Sequence, residues 1–145
     1  METKNIDDYL PKSLDEIVRR RRDEVQIRLA TATEIKALGE FIGDAKMSQG
    51  EVKDTISEWY PILFRVRDDM QIRLLGHFEK RKEILLSSDV AVLSPENGLA
   101  KTENSFYRLG KRGDGEPPRH FLVVLCAILT KTGAGRVLGV PEVFF

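Results

Sequence analysis

Apolar residues recur at steps of three and four over two long stretches of the chain. The first stripe follows Ser13, and its members are Leu14, Val18, Val25, Leu29, Ala32, Ile35, Leu38, Ile42 and Ala45. The second follows Ser48, and its members are Val52, Ile56, Trp59, Leu63, Val66, Met70, Leu74, Phe78 and Leu85. This spacing places side chains on one face of an α-helix. The pattern therefore predicts two helices, at about 13–46 and 49–87.

Both predicted helices begin with a capping pattern. Ser13 with Glu16, and Ser48 with Glu51, have the S-x-x-E spacing in which the two side chains satisfy free amide groups of the first turn. Pro61 interrupts the second stripe and predicts a kink there. Only a few residues connect the two helices, and short connections make antiparallel neighbours. We therefore expect a mainly α fold built on one long antiparallel helical hairpin.

The last third of the chain is less regular. Ser94-Pro-Glu96 predicts the start of a helix that ends near Leu109, and the composition of residues 110–118 is typical of a loop. The nine apolar residues from Phe121 to Leu129 fit a buried helix or a buried strand, and periodicity does not decide between them. We expect a flexible N-terminus at 1–12, a helical domain at 13–110, and at 111–145 a loop plus an apolar segment that packs on that domain or on a partner.

The charge balance excludes a protein that holds nucleic acid by bulk charge. The chain has 23 Lys and Arg against 23 Asp and Glu, so its formal net charge is zero. The single cysteine, Cys126, lies in an apolar run and cannot form an intramolecular disulfide. The first residues have no apolar core typical of a signal peptide, and the longest apolar run is too short to span a bilayer. We expect an intracellular protein, cytoplasmic or nuclear, with no membrane partner.

Two basic stretches are the candidate surface for a nucleic acid or an acidic partner. Their members are Arg19, Arg20, Arg21, Arg22, Arg73, Lys80, Arg81 and Lys82. In an antiparallel hairpin the two stretches lie at the same end. The alternative interpretation is a solvated surface, because neighbouring acids such as Asp15 and Asp23 stand four residues from Arg19.

A long helical hairpin cannot cover both of its apolar flanks. This predicts self-association or a place in a larger complex. The candidate interface residues are Val25, Leu29, Trp59, Leu63, Phe144 and Phe145. No catalytic, metal-binding or cofactor-binding group is predicted, because His77, His120 and Cys126 lack the spacing of metal ligands and no nucleophile, acid and base stand together.

Residues 71–107 carry four short motifs: QIRLL at 71–75, FEKRKEI at 78–84, LSPE at 93–96 and SFY at 105–107. They resemble the helical domain of the GINS subunits of the DNA replication machinery. The resemblance implies an all-helical scaffold that assembles with other subunits and has no catalysis of its own. That family normally carries a separate small β domain, and residues 111–145 are too short for a whole one.

Together these patterns predict a non-enzymatic helical scaffold that self-associates or joins a multi-subunit complex, with DNA replication as the process that the resemblance implies. The alternative function is a nucleic-acid-binding helical module that uses Arg19–Arg22 and Lys80–Lys82.

Overall fold

The computed structural model describes residues 11–18, 22–39 and 51–132. Within these ranges the chain forms one seven-stranded sheet and two α-helices. The strands are β1 Val25–Leu29, β2 Val52–Val66, β3 Asp69–Phe78, β4 Glu83–Leu86, β5 Val90–Ser94, β6 Leu99–Thr102 and β7 Phe106–Leu109. The helices are α1 Ala32–Gly39 and α2 Arg119–Lys131, and a 3₁₀ turn, Leu14–Glu16, precedes β1.

The predicted mainly α hairpin is wrong. The described part of the first predicted helix, 13–46, holds the 3₁₀ turn, β1 and the short helix α1, while most of the second, 49–87, forms β2, β3 and β4. The prediction failed because β2 is apolar at consecutive positions from Trp59 to Phe64. Such a run contains residues at steps of three and four as well as steps of two, so it fits both periods. The predicted connection between the two helices, near residues 47–50, lies outside the described residues.

The C-terminal predictions are partly corrected. The helix expected from Ser94 to Leu109 is wrong, because these residues end β5 and form β6 and β7. The helical structure that the GINS resemblance implied for residues 71–107 is replaced by strands β3 to β7. The undecided apolar segment is a helix, α2, and Cys126 within it is fully buried as expected. In the described part of the chain, neither helix is long and apolar enough to cross a membrane.

Strand β2 is the centre of the sheet. The order of the strands is β4-β3-β2-β7-β6-β5, and β1 also pairs with β2. The second half of β2 pairs with β1, from Ile62 to Val66, whereas its first half pairs with β7, from Val52 to Ile56. The β2–β7 pairing is parallel and the other pairings are antiparallel. Along the edge that does not pair with β3, β2 therefore pairs first with β7 and then with β1.

A β-bulge separates the two halves of β2. The register against β3 shifts between Ser57 and Tyr60, and Glu58 has a left-handed φ of +47°. A bulge inserts an extra residue and bends its strand. The insertion also reverses the alternation of faces, so that Ile56 before the bulge and Leu63 after it pack in the same core.

Pro61 lies in the middle of β2 without disturbing the pairing with β3. Its partner in β3 is Leu74, whose amide donates to Ser87 Oγ at 2.8 Å and whose carbonyl accepts from the Ser87 amide at 2.9 Å. Both backbone groups of Leu74 thus point away from β2, so the N–H that proline lacks is not needed at this pair. The predicted helix kink at Pro61 is replaced by a position inside a strand.

The sheet is covered on both faces by separate hydrophobic cores. Core 1 lies between β1, the second half of β2 and helix α2, and its members include Ile27, Tyr60, Ile62, Leu75, Phe121, Leu122 and Leu125. Core 2 lies on the other face, against α1 and the strands β5 to β7, and its members include Ile35, Ile56, Trp59, Leu63, Leu74, Leu93 and Tyr107. Burial on both faces explains why β2 carries consecutive apolar residues rather than a strict alternation.

Helix α1 is held at its N-terminus by reciprocal hydrogen bonds. The Thr31 amide donates to Glu34 Oε1 at 2.8 Å, and the Glu34 amide donates to Thr31 Oγ1 at 3.2 Å. This is a capping box, one helix start that the sequence patterns above did not include. The Arg28 guanidinium of β1 donates to both oxygens of Glu34, at 2.8 and 2.9 Å. The same carboxylate therefore caps α1 and ties it to β1.

We expect Gly76→Ala to lower the free energy of unfolding by about 2–3 kcal/mol, because the site opposite the bulge has no room for a methyl group. A Cβ at Gly76 would lie 2.6 Å from Ile56 Cγ2 and 3.1 Å from Trp59 Cα. Urea denaturation measures the change. His77→Ala, at the next position of β3, is the control and should cost less; equal stability of Gly76→Ala and the wild type would show that the bulge is not tightly packed.

Stability should depend on pH through Glu34. The Arg28 guanidinium lowers the pKa of Glu34 from 4.5 to about 2. A lowered carboxyl pKa stabilises the folded state above pH 4.5, and this stabilisation is lost as the pH falls toward 2. Glu34→Gln should cost about 1 kcal/mol at neutral pH and remove this part of the pH dependence. Urea denaturation at several pH values measures it, with the exposed Glu96→Gln as control. An unchanged acid profile in Glu34→Gln would contradict the assignment.

Candidate functional site

A groove of about 460 Å³ runs between helix α1 and the turn from β5 to β6. Its lining includes Ala32, Ile35 and Lys36 from α1, Leu93, Pro95 and Asn97 from β5 and the turn, and Arg112 from the loop after β7. The apolar floor belongs to core 2, because Ile35 and Leu93 are both members of that core. Concave apolar sites with a few polar groups at the rim are typical of ligand-binding sites.

Close packing of α1 on β5 sets the shape of the groove. A Cβ at Gly39 would lie 3.1 Å from the Leu93 carbonyl oxygen, so the end of α1 lies close to the backbone of β5. On the opposite wall the Asn97 side-chain amide donates to Ser94 Oγ at 2.8 Å, which holds the β5–β6 turn. Both walls are therefore held by contacts within the chain before any ligand binds.

Trp59 fixes the position of Arg112. The indole is 2% exposed, and its Nε1–H donates to the Gly110 carbonyl at 3.1 Å. The Gly113 amide donates to the Trp59 carbonyl at 2.9 Å, and Arg112 itself forms an isolated parallel bridge with Trp59. The loop is thus bonded to β2 on both sides of Arg112. The Arg112 guanidinium lies 5.3 Å from the centre of the indole ring, within the range of a cation–π contact.

The charges at the groove are not neutralised locally. Arg112 and Lys36 form no ion pair with a residue in the described part of the chain. Glu96 lines the same groove and likewise has no ion-pair partner among the described residues. The lining therefore presents two positive charges and one negative charge beside an apolar floor.

A second cavity of about 390 Å³ lies behind the Arg112 loop and is lined by Tyr60, Asp114 and Gly113, among others. Burial raises the pKa of the Tyr60 phenol above its ordinary value, and the carboxylates of Glu58 and Asp114 raise it further. The hydroxyl therefore stays neutral near pH 7. Gly113 lies directly against the Tyr60 ring, which leaves no space for a larger residue in this loop.

The predicted basic residues do not form one surface in the described structure. Lys80, Arg81 and Lys82 are exposed in the turn between β3 and β4, where the buried carboxylate of Asp54 accepts hydrogen bonds from the Lys80 and Arg81 amides at 2.7 and 3.3 Å. Arg73 lies inside β3, with its guanidinium 5.8 Å from the centre of the Phe64 ring.

Arg22 and the β3–β4 turn lie at opposite ends of β2. The Arg67 amide beside Val66 bonds to the Glu24 carbonyl, while the Glu79 amide bonds to Thr55. Val66 lies eleven positions after Thr55 in β2, which is roughly 35 Å along the strand. Arg22 pairs with Asp15 at 2.8 Å. Arg19, Arg20 and Arg21 lie outside the described residues, so their role stays a prediction.

The predicted interface residues are mostly internal. Val25, Trp59 and Leu63 are buried in the cores of the single chain, and Leu29 is half-buried against core 1. Phe144 and Phe145 lie outside the described residues. An oligomer interface at these positions stays a prediction.

The groove residues were missed because they are distant in sequence. Lys36 and Arg112 are separated by 76 positions, and only the fold places them at one site. The T-x-x-E spacing of Thr31 and Glu34 could have indicated the start of α1. The composition of residues 110–118 correctly indicated the loop that carries Arg112, but not its neighbours.

No protein-family model, curated protein or solved structure matches this chain. The resemblance to GINS subunits and the expected intracellular location therefore remain predictions. Within residues 11–18, 22–39 and 51–132, no three His, Cys, Asp or Glu side chains lie close enough to hold a metal ion.

We expect Gly113→Ala to lower the free energy of unfolding by about 2 kcal/mol, because the added methyl group would overlap the Tyr60 ring. Displacement of the loop should also change the emission of Trp59, the only tryptophan. Thermal denaturation and fluorescence measure the two effects. Lys111→Ala is the control at an exposed position of the same loop. If both variants have the melting temperature of the wild type, Gly113 does not position the loop.

Proposed function

We propose that the protein is a non-enzymatic interaction module that binds a segment of a partner protein in the groove between α1 and β5. The observation that carries the proposal is the groove itself, with an apolar floor from Ile35 and Leu93 and the guanidinium of Arg112 at its rim. The lining supplies an apolar surface, which can give affinity for a peptide segment, and charged groups, which can give specificity.

The size of the groove suits a few side chains rather than a whole protein surface. A volume of about 460 Å³ falls in the ordinary range of sites for a small molecule or a short peptide. Its walls are fixed by the capping box of α1 and by the Trp59 contacts of the loop. A preformed site loses little conformational entropy on binding, so a short segment can bind with useful affinity.

The proposal retains the role in protein assembly that the sequence predicted, but it assigns this role to a protein built on a sheet and not to a helical scaffold. A nucleic acid partner has less support, because the described candidate cations are dispersed: Arg22 pairs with Asp15, and the Lys80–Lys82 turn lies at the other end of β2. A dispersed set of cations lacks the continuous basic surface that tracks a phosphate backbone. Self-association through the groove is one outcome of the tests that follow.

Ala32→Trp should block peptide binding. Ala32 is exposed, lines the groove and belongs to the first turn of α1, so a bulky residue there fills the groove without entering a core. Random 12-residue peptides displayed on phage are selected on the wild-type chain, and the enriched peptides are labelled with fluorescein. Fluorescence polarisation should show binding at least tenfold weaker to Ala32→Trp than to the wild type.

Ala37→Trp is the matched control, because Ala37 is exposed on the same helix but does not line the groove. It should bind the peptides within twofold of the wild type. Amide chemical shifts of the wild type should move at Ile35 and Leu93 when peptide is added. Light scattering on the free wild type and on Ala32→Trp shows whether the chain associates and whether that association needs the groove. Peptides that bind Ala32→Trp as well as the wild type, or no enrichment at all, would reject the proposal.

A further inference from the structure

We infer that the segment bound in the groove carries a carboxylate that pairs with Arg112. This inference rests on the proposed function and adds the chemistry of the ligand. It follows from three properties of Arg112: its fixed position, its lack of an ion-pair partner in the described part of the chain, and its place between an apolar floor and solvent.

The position of Arg112 is fixed by backbone hydrogen bonds and by a cation–π contact with Trp59. Hydrogen bonds from Trp59 Nε1 to Gly110 and from the Gly113 amide to Trp59 hold the loop on both sides of the arginine. The indole face then receives the guanidinium at 5.3 Å. This contact uses none of the guanidinium N–H groups, so their planar fork can bind a carboxylate through two parallel hydrogen bonds.

Arg28, in β1, already makes the ion pair that is proposed for Arg112. Arg28 donates to both oxygens of Glu34, and that pair lowers the pKa of Glu34. Arg112 has the same fork but no carboxylate among the described residues. A carboxylate from a partner would therefore pair with Arg112 at the groove in the way that Glu34 pairs with Arg28 at the start of α1.

Lys36 strengthens the preference for an anion. It lines the groove from α1, so cations from two separate segments of the chain line the same groove. Glu96 offsets one of the two charges, which leaves a single net positive charge on the lining. The ligand that complements this lining has apolar side chains for Ile35 and Leu93 and one carboxylate, either of an aspartate or glutamate side chain or of a chain terminus.

The test uses a defined panel of fluorescein-labelled decapeptides that combine three consecutive leucine or phenylalanine residues with one varied position. That position holds Glu, Gln or Lys, and each peptide has either a free or an amidated C-terminus. We expect the Glu peptides, or those with a free terminus, to bind at least tenfold more tightly than their neutral counterparts. The two arms identify which source supplies the carboxylate.

Arg112→Gln should abolish this preference. The acidic peptides should lose about tenfold in affinity, while their neutral counterparts bind the variant and the wild type equally. Arg108→Gln is the matched control, because Arg108 is exposed on β7 and does not line the groove. Arg112→Glu should favour the Lys peptides. Melting temperatures and Trp59 emission establish that each variant keeps its fold.

The outcomes separate this inference from the proposed function. Acidic and neutral peptides could bind the wild type equally and both lose affinity for Ala32→Trp. The groove is then a peptide site, as proposed, but a carboxylate is not part of its ligand. If a preference for acid persists in Arg112→Gln, the recognising cation is another residue and the inference is wrong. If no apolar peptide of the panel or the phage library binds the wild type, both proposals fail.

Discussion

The β-bulge in β2, between Ser57 and Tyr60, sets which residues of the central strand face each of the two cores. It turns the strand, and it brings Ile56 and Leu63 to the same face although six intervening residues would otherwise place them on opposite faces. Gly76 of β3 makes this bend of β2 possible, because a Cβ at that position would collide with the Ile56 side chain and the Trp59 backbone. A single strand can thus pair with β7 first and β1 later, and the two cores share it.

The candidate site is a direct consequence of that bulge. Trp59 lies within it and is buried in core 2, where its indole N–H and backbone bond to the loop that follows β7. The position of Arg112 is therefore determined by the packing of the sheet rather than by its own loop. Helix α1 also lines the groove, and Glu34 fixes it through the capping box and through Arg28. The stability of the fold and the shape of the candidate site depend on the same few contacts.

Neutral net charge conceals different local arrangements. Some charges are satisfied within the chain, as in the pairs Arg22–Asp15 and Arg28–Glu34. Others lack an ion-pair partner in the described part of the chain, and Arg112 and Lys36 are two of these at one groove. A balance of 23 against 23 excludes a polycation but says nothing about which charges remain available to a ligand. That availability depends on distances between residues that are far apart in sequence.

Local composition was enough to predict that Cys126 is buried in an apolar segment and that residues 110–118 form a loop. It did not determine helix or strand, because Trp59 to Phe64 is apolar at each position and fits either period. Strand pairing decided this, and β2 pairs with β7 some fifty residues away. The groove likewise exists only in the tertiary structure, because its apolar floor and its cations come from three separate segments whose contacts no local pattern records.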